Sequence, residues 1–393
     1  MFSFLSVSKK YAGRFVALMS ILWLAACQPV SLSGGGSGQR IDPKAPVPVA
    51  LLVPGGSSNG SDQMLAKNLE NAARLAIADL KGVNINLRVY NTAGNPSQAA
   101  SVAVQAVNDG AKIIIGPLYA EAANAVGVAV AGRNVNVLAF SNNAQIAGGN
   151  VFILGHTFQN TANRLVSYAK QQGRSKIMTI HARTHAGEVG RAAIANAIAK
   201  AGATQAGVGS YEFSQDGIVA AVPGIASTIL SSGAQAVFFT SDTAGALPLL
   251  IQMLPENNVD KDVIKFIGLT RWDIPAQTLA LPGAQGGWFA LPHPGMSAKF
   301  TSRYSTAFGQ PPHAIASLSY DGIAAIGALV KSGNTNALTT AGLTQGSGFV
   351  GASGIFRFRP DGTNQRGLAV AQVQNNQLVI VDPAPSNFSG AGY

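Results

Sequence analysis

His181 and His185 stand four residues apart in His-Ala-Arg-Thr-His, a spacing that on one helix face would bring two imidazoles onto a zinc ion. A hydrolytic site of that kind needs a glutamate directly after the first histidine as general base. Ala182 occupies that position, and the segment leaves a strand-like run, so the helical geometry fails and no metal is expected. Ser167-Tyr168-Ala169-Lys170 has the spacing of a serine nucleophile activated by lysine. Its usual companions, Ser-Asp-Asn and Lys-Thr-Gly, are missing, and the surrounding periodicity puts it on a helix surface. Gly55-Gly56-Ser57-Ser58-Asn59-Gly60 lacks the lysine of a phosphate-binding loop and reads as a loop at the rim of a cleft. No catalytic residue and no cofactor is expected.

Cys27 is the single cysteine of the 393 residues. Lys9, Lys10 and Arg14 precede a short apolar run, Phe15 to Leu24, and small residues lead into the cysteine. A bilayer span needs about 20 apolar residues, so residues 1–26 read as an export signal. Leu24-Ala25-Ala26-Cys27 resembles a lipobox, which implies an acylated thiol and cleavage between Ala26 and Cys27. A lipid on Cys27 leaves no thiol for a disulfide, so burial alone must stabilise the fold. The expected location is the periplasm, with attachment to a membrane through the lipid. Gln28 after the cysteine points to the outer membrane.

Charged residues make up 11% of the chain, against a usual quarter, and hydrophobic residues 47%. The formal charge is +10, and three of those positives fall in the signal. No basic run or basic–aromatic interleaving occurs, so nucleic acid is not an expected partner. After the signal the length accommodates two domains.

Two domains also follow from the element pattern. Ser31 to Gly38 is a Gly/Ser coil that gives a linker over residues 27–45. Beyond it, apolar runs of strand length alternate with amphipathic helical stretches. Strands are predicted at Val47–Val53, Ile85–Tyr90, Ala111–Ile115 and Val135–Phe140, and again at Lys176–Ile180, Val208–Phe213, Ala236–Thr240 and Ile264–Leu269. Helices are predicted between them, including Thr161–Gln172, Val189–Lys200, Ile218–Leu230 and Ala244–Leu254. Apolar runs separated by crossover helices imply parallel sheets covered on both faces. The expected fold is α/β, with two Rossmann-like lobes around a cleft. In the last third, Ile355–Phe358, Gly367–Val373 and Gln377–Val381 read as one antiparallel ribbon, turned at Pro360-Asp361-Gly362 and Asn375-Asn376. The chain is expected to cross three times between lobe one (46–156 and 292–345) and lobe two (157–291 and 346–385), with a tail at 386–393.

Several of these segments resemble a known family. The opening strand, the helix from Asn68 to Ala76, Tyr90-Asn91-Thr92-Ala93-Gly94-Asn95-Pro96, Ile113-Ile114-Ile115-Gly116-Pro117 and Ser319-Tyr320-Asp321-Gly322 are similar to type I periplasmic binding proteins, the leucine/isoleucine/valine-binding branch above all. The run from Gly351 to Gly362, then Arg366 to Val370 and Val381 to Pro385, together with the lipobox, resembles penicillin-binding protein activator lipoproteins. This resemblance implies two lobes about a cleft, no catalysis, and a periplasmic peptidoglycan synthase as partner.

Ligands in open parallel sheets gather beyond the carboxyl ends of strands. The positions that fall there give the cleft candidates Tyr119, Ala120, Ser141, Asn142, Asn143, His185, Asp242, Thr243 and Trp272. Amino-acid binders of this family place a serine or threonine on the ligand carboxylate, with a tyrosine and an acid on the ammonium. Tyr119-Ala120 replaces the serine pair here, and no tyrosine stands at His185 or Gly187. The candidates leave open a free amino acid, a polar peptide or sugar fragment, or an empty groove. The leading expectation is activation of a penicillin-binding protein in cell-wall assembly. The alternative is solute capture for a transporter of branched-chain amino acids or a related small polar solute.

Overall fold

The computed structural model describes residues 38–388; Cys27, the signal, the linker up to residue 37 and residues 389–393 lie outside them. In the first lobe, β1 (Val47–Val53), α1 (Gly60–Asp79), β2 (Ile85–Asn91), α2 (Pro96–Asn108), β3 (Ile113–Ile115), α3 (Ala120–Ala131), β4 (Asn136–Ala139) and β5 (Val151–Ile153) follow one another. The strands form an all-parallel sheet ordered β2-β1-β3-β4-β5. Side chains alternate between its faces with the two-residue period of a strand. Val47, Val49, Leu51 and Val53 enter one core with α1, while Ala50 and Leu52 enter a second with α2 and α3. Burial on both faces explains why the central strand β1 reads as an apolar run, while β2 at the sheet edge carries polar and exposed residues.

The second lobe repeats the plan. After α4 (Phe158–Gln171) come β6 (Lys176–Ala182), α5 (His185–Ala201), β7 (Thr204–Tyr211), α6 (Gln215–Ser231), β8 (Ala236–Phe239), α7 (Leu247–Glu256), β9 (Lys265–Gly268) and β10 (Trp288–Leu291). Their parallel order, β7-β6-β8-β9-β10, matches that of the first lobe strand for strand. Val237 and Phe239 face one core and Ala236 and Phe238 the other.

The chain then returns to the first lobe. α8 (Pro294–Phe308) and α9 (Ala316–Lys331) pack on α1, and α10 (Thr340–Leu343) leads into β11 (Phe349–Gly351), β12 (Gly354–Phe358) and β13 (Asn364–Arg366). It crosses again to add β14 (Ala369–Gln374) and β15 (Gln377–Asp382) antiparallel to β10. The crossings therefore follow β5, β10 and β13.

Three expectations are corrected here. The late strands are not one ribbon: β12 lies in a separate three-stranded sheet, β11-β12-β13, while β14 and β15 extend the second lobe's sheet. The second-lobe range 346–385 starts too early, because Phe349, Phe356 and Phe358 are buried in the first lobe's core. The linker range 27–45 ends too late, since Ile41 is buried in that same core and its amide donates to the Thr335 carbonyl at 2.9 Å. The turn between β14 and β15 is as read: Asn375 and Asn376 take φ of 52° and 62°, the left-handed pair of a type I′ hairpin.

At the hinge, buried polar groups tie the crossings together. The Asn364 amide donates to the carbonyls of Ile153 (2.7 Å) and Gly155 (2.8 Å), clasping the first crossing to β13. Arg366 donates through Nε to the Leu154 carbonyl at 3.1 Å and through Nη1 to Asp321 of α9 at 2.8 Å. Asp321 also accepts from the Ala352 amide at 2.7 Å.

Candidate functional site

Each lobe's strand order reverses between its first and third strand, which leaves a crevice beyond the carboxyl ends. In the first lobe, β3 is followed by Gly116, whose φ is +86° and whose Cβ, were there one, would lie 2.2 Å from the Leu52 carbonyl. Only glycine permits that approach, and it delivers Leu118-Tyr119-Ala120 to the cleft at the start of α3. α3 has no side-chain cap, so the first-turn amides at Ala120 are left for solvent or a ligand.

These residues form one wall of a cavity of about 840 Å³. The first lobe adds Phe140 and Ser141-Asn142-Asn143 after β4 and Gly155-His156 after β5. α8 and its following loop contribute Ser297, Phe300, Thr301 and His313, and α9 contributes Ile315, Ser317 and Leu318. From the second lobe come Thr161, Leu269, Arg271, Ile274, Leu291 and Leu368. More than half of the lining is apolar, and the volume falls in the range of roughly 300–1,000 Å³ common for small-ligand sites.

Of the expected residues, Tyr119, Ala120, Ser141, Asn142 and Asn143 line this cavity together. The Tyr119 hydroxyl donates to Asp62 at the start of α1, and that bond, followed by burial, pushes its pKa up to about 12. Ser141 Oγ accepts from the Asn143 amide at 3.1 Å, and Asn143 Oδ1 accepts from the Gln145 amide at 2.9 Å, so both shape the loop after β4.

The second-lobe expectations are corrected. His185 is the exposed first residue of α5, off the cavity, because Thr184 caps the helix one position earlier. Asp242 is exposed and Thr243 donates to the Ile274 carbonyl at 2.6 Å; neither lines the cavity. Trp272 is a core residue, fully buried and stacked on Phe289 at 6.3 Å between centroids. A Cβ on Gly268 would lie 2.0 Å from its indole nitrogen and one on Gly287 2.1 Å from its ring. Its neighbour Arg271 is the residue that reaches the cleft, held by Asp273 through Nε at 2.9 Å and Nη2 at 2.5 Å.

His156 went unnoticed in the sequence. It lies on the first crossing, and burial, then the nearby guanidinium groups of Arg366 and Arg271, hold its imidazole well below the usual range and neutral. His181 and Lys170 of the opening paragraph's motifs are spent on structure. His181 is buried on β6 with Nδ1 3.4 Å from Glu188, and Lys170 donates to the Ala201 carbonyl at 2.6 Å, closing the end of α5. Among the described residues no group of three or more His, Cys, Asp or Glu side chains is placed to hold a metal ion. The Gly55–Gly60 loop does not line the cavity; Asn59 within it caps α1 by accepting from the Ser61 amide at 2.9 Å.

Comparison with known proteins agrees with this architecture. An uncharacterized protein of Rickettsia prowazekii is 22% identical over 66% of this chain and 69% of its own length. Among solved structures, a branched-chain amino acid ABC transporter periplasmic ligand-binding protein from Burkholderia xenovorans LB400 superposes with a TM-score of 0.66 at 17% identity, over 86% of this chain and 96% of its own. An ABC transporter solute-binding protein from Rhodopseudomonas palustris BisB5, in complex with 3,4-dihydroxy benzoic acid, gives 0.56 at 20% identity, over 87% and 97%. The periplasmic binding protein family matches residues 46–377. A match over that span, on two lobes of identical strand order about a cleft, means that the chain belongs to the periplasmic binding protein family, which implies a periplasmic location.

Proposed function

We propose that this protein captures a small solute between its lobes for an ABC-type transporter. The observation that carries this reading is the cavity itself. It is large enough for a compact organic molecule, it draws walls from both lobes, and it is mostly apolar with a few convergent polar groups. A ligand touching both walls stabilises the closed arrangement by its differential affinity for that state. The names of the two solved relatives agree in kind, one being a branched-chain amino acid transport protein and the other holding an aromatic acid.

The alternative role, activating a peptidoglycan synthase, rests on the runs from Gly351 to Gly362, Arg366 to Val370 and Val381 to Pro385 together with the lipobox, and three residues of the first run have local structural reasons. A Cβ on Gly351 would lie 2.1 Å from Asp321 Oδ1, the Ala352 amide binds Asp321, and Gly362 turns the chain at φ +79°. Local packing accounts for Gly351, Ala352 and Gly362 without a partner. We also propose, from the sequence alone, that Cys27 carries the lipid that tethers the protein, by its Gln28 context to the outer membrane; loss of palmitate label in Cys27→Ala cells tests it.

Calorimetry of the protein from Gln28 onward against amino acids and small organic acids tests the main reading. Dissociation constants at or below the micromolar range are expected for at least one of them. Silence across that set, alongside a direct interaction with a purified peptidoglycan synthase, would reverse the order of the two roles.

A further inference from the structure

The charged side chains around the cavity are unbalanced. Among the described residues that line it there is no aspartate or glutamate, while Arg271, His156 and His313 all contribute nitrogen groups. Arg271 is the fixed charge of the set. Asp273, which does not line the cavity, engages its Nε and one hydrogen of Nη2 and leaves the remaining three of its five N–H donors without a hydrogen-bond partner. A guanidinium braced from behind in this way keeps its orientation and loses little side-chain freedom when it meets a carboxylate. The uncapped amides of α3 lie on the same cavity, from the opposite lobe. An α-amino acid would bring an ammonium as well. The hydroxyls of Ser141, Thr301 and Ser317 offer it dipoles but no counter-charge, and burying an unpaired charge is costly. Phe300, Leu318 and Leu269 give the remainder of the ligand an apolar surface.

We propose that Arg271 selects a small monocarboxylate without an amino group, aromatic or branched aliphatic, as the solute of this cleft. The proposal deepens the solute-capture reading and rests on it.

The test compares four compounds on the purified protein by calorimetry: benzoate, 4-methylpentanoate, its neutral relative 4-methylpentanamide, and leucine. One of the two acids should bind at least about 30-fold more tightly than leucine, and 4-methylpentanoate should bind more tightly than its amide, as expected where a charge-assisted bond to one group decides the difference. Arg271→Met should weaken binding of the acid by a similar factor, and Arg271→Lys should restore part of it. Because the four compounds are compared on the unaltered protein, the result does not depend on the variants folding. Leucine binding as tightly as the tighter of the two acids, or binding of that acid unchanged in Arg271→Met, overturns the proposal and leaves solute capture standing. No binding of any of the four by a protein that unfolds cooperatively overturns the proposal as well; whether another solute binds in the wider set then decides the capture reading separately.

Discussion

Arg366 and Asp321 meet at 2.8 Å with both side chains essentially removed from solvent, at 2% and 0% exposure. The pair joins the last hinge strand, β13, to the middle of α9, while the same guanidinium reaches the Leu154 carbonyl on the first crossing. Removing one partner of a buried pair leaves an uncompensated charge, a loss of about 3–5 kcal/mol. Arg366→Ala should therefore lower the urea midpoint sharply. Burial already raises the pKa of Asp321, so without the arginine its carboxyl should protonate readily in the fold. A raised folded pKa adds stability at low pH and loses it as pH rises. The deficit of Arg366→Ala should shrink between pH 7 and pH 5, and a constant deficit across that range would contradict this account.

His156 should make stability fall on mild acidification. Its folded pKa lies well below that of an unfolded histidine, so between the two values the unfolded chain binds the extra proton. Stability is then lost as pH drops below about 6.5, with a slope approaching 1.4 kcal/mol per pH unit for this one group. Unfolding curves at pH 7, 6 and 5 should converge for wild type and His156→Gln as pH falls, with wild type giving up the difference. Parallel curves would show that His156 is not held neutral.

Trp272 should be a stability residue with no part in ligand recognition. Truncation to alanine in the core should cost about 3–5 kcal/mol. Gly268→Ala should also destabilise, because its new methyl meets the indole nitrogen. Trp272→Phe, which removes a buried N–H that has no partner, should be much milder and should leave ligand affinity within a factor of two or so by calorimetry. A large affinity loss in a folded Trp272→Phe protein would return the residue to the cleft.

The bond from Tyr119 to Asp62 should be visible in an alkaline titration. With a pKa of about 12, Tyr119 holds its proton where an unfolded tyrosine has released it, so its share of stability is present below pH 10 and lost toward pH 12. Tyr119 is 40% exposed, so Tyr119→Phe should cost no more than about 1 kcal/mol at neutral pH. The absorbance difference at 295 nm between the two proteins should develop only above pH 11. Development near pH 10 would mean that the bond is absent in solution.

The strands were legible because burial on both faces leaves an apolar run, as in Val47–Val53, whose predicted and observed limits coincide. Three helix starts in the second lobe were read late for a physical reason. Thr157, Thr184 and Ser214 accept from amides three residues on, so each helix begins at its polar cap and several residues before its first periodic apolar position. The cleft was half legible. Strand ends in the first lobe follow from alternation, and Tyr119 and Ser141 could be found there. Past β9, local pattern does not say which of Arg271 and Trp272 turns inward, and it is the glycines at 268 and 287, the second of them fifteen residues beyond Trp272, that admit the indole to the core. The return of 292–345 to the first lobe was expected, but local pattern does not say which residues of α8 and α9 face the cleft, so Phe300, Thr301, Ser317 and Leu318 were not found.

The two tryptophans among the described residues, Trp272 and Trp288, both lie buried in the second lobe, and neither lines the cavity. Intrinsic fluorescence is thus an instrument pointed at one half of the molecule. It will follow the melting of the second lobe faithfully and stay nearly silent while a solute enters the cleft, so a flat emission titration says nothing against binding. Placing a tryptophan at Phe300, on the first lobe's side of the cavity, would give the other half its own signal.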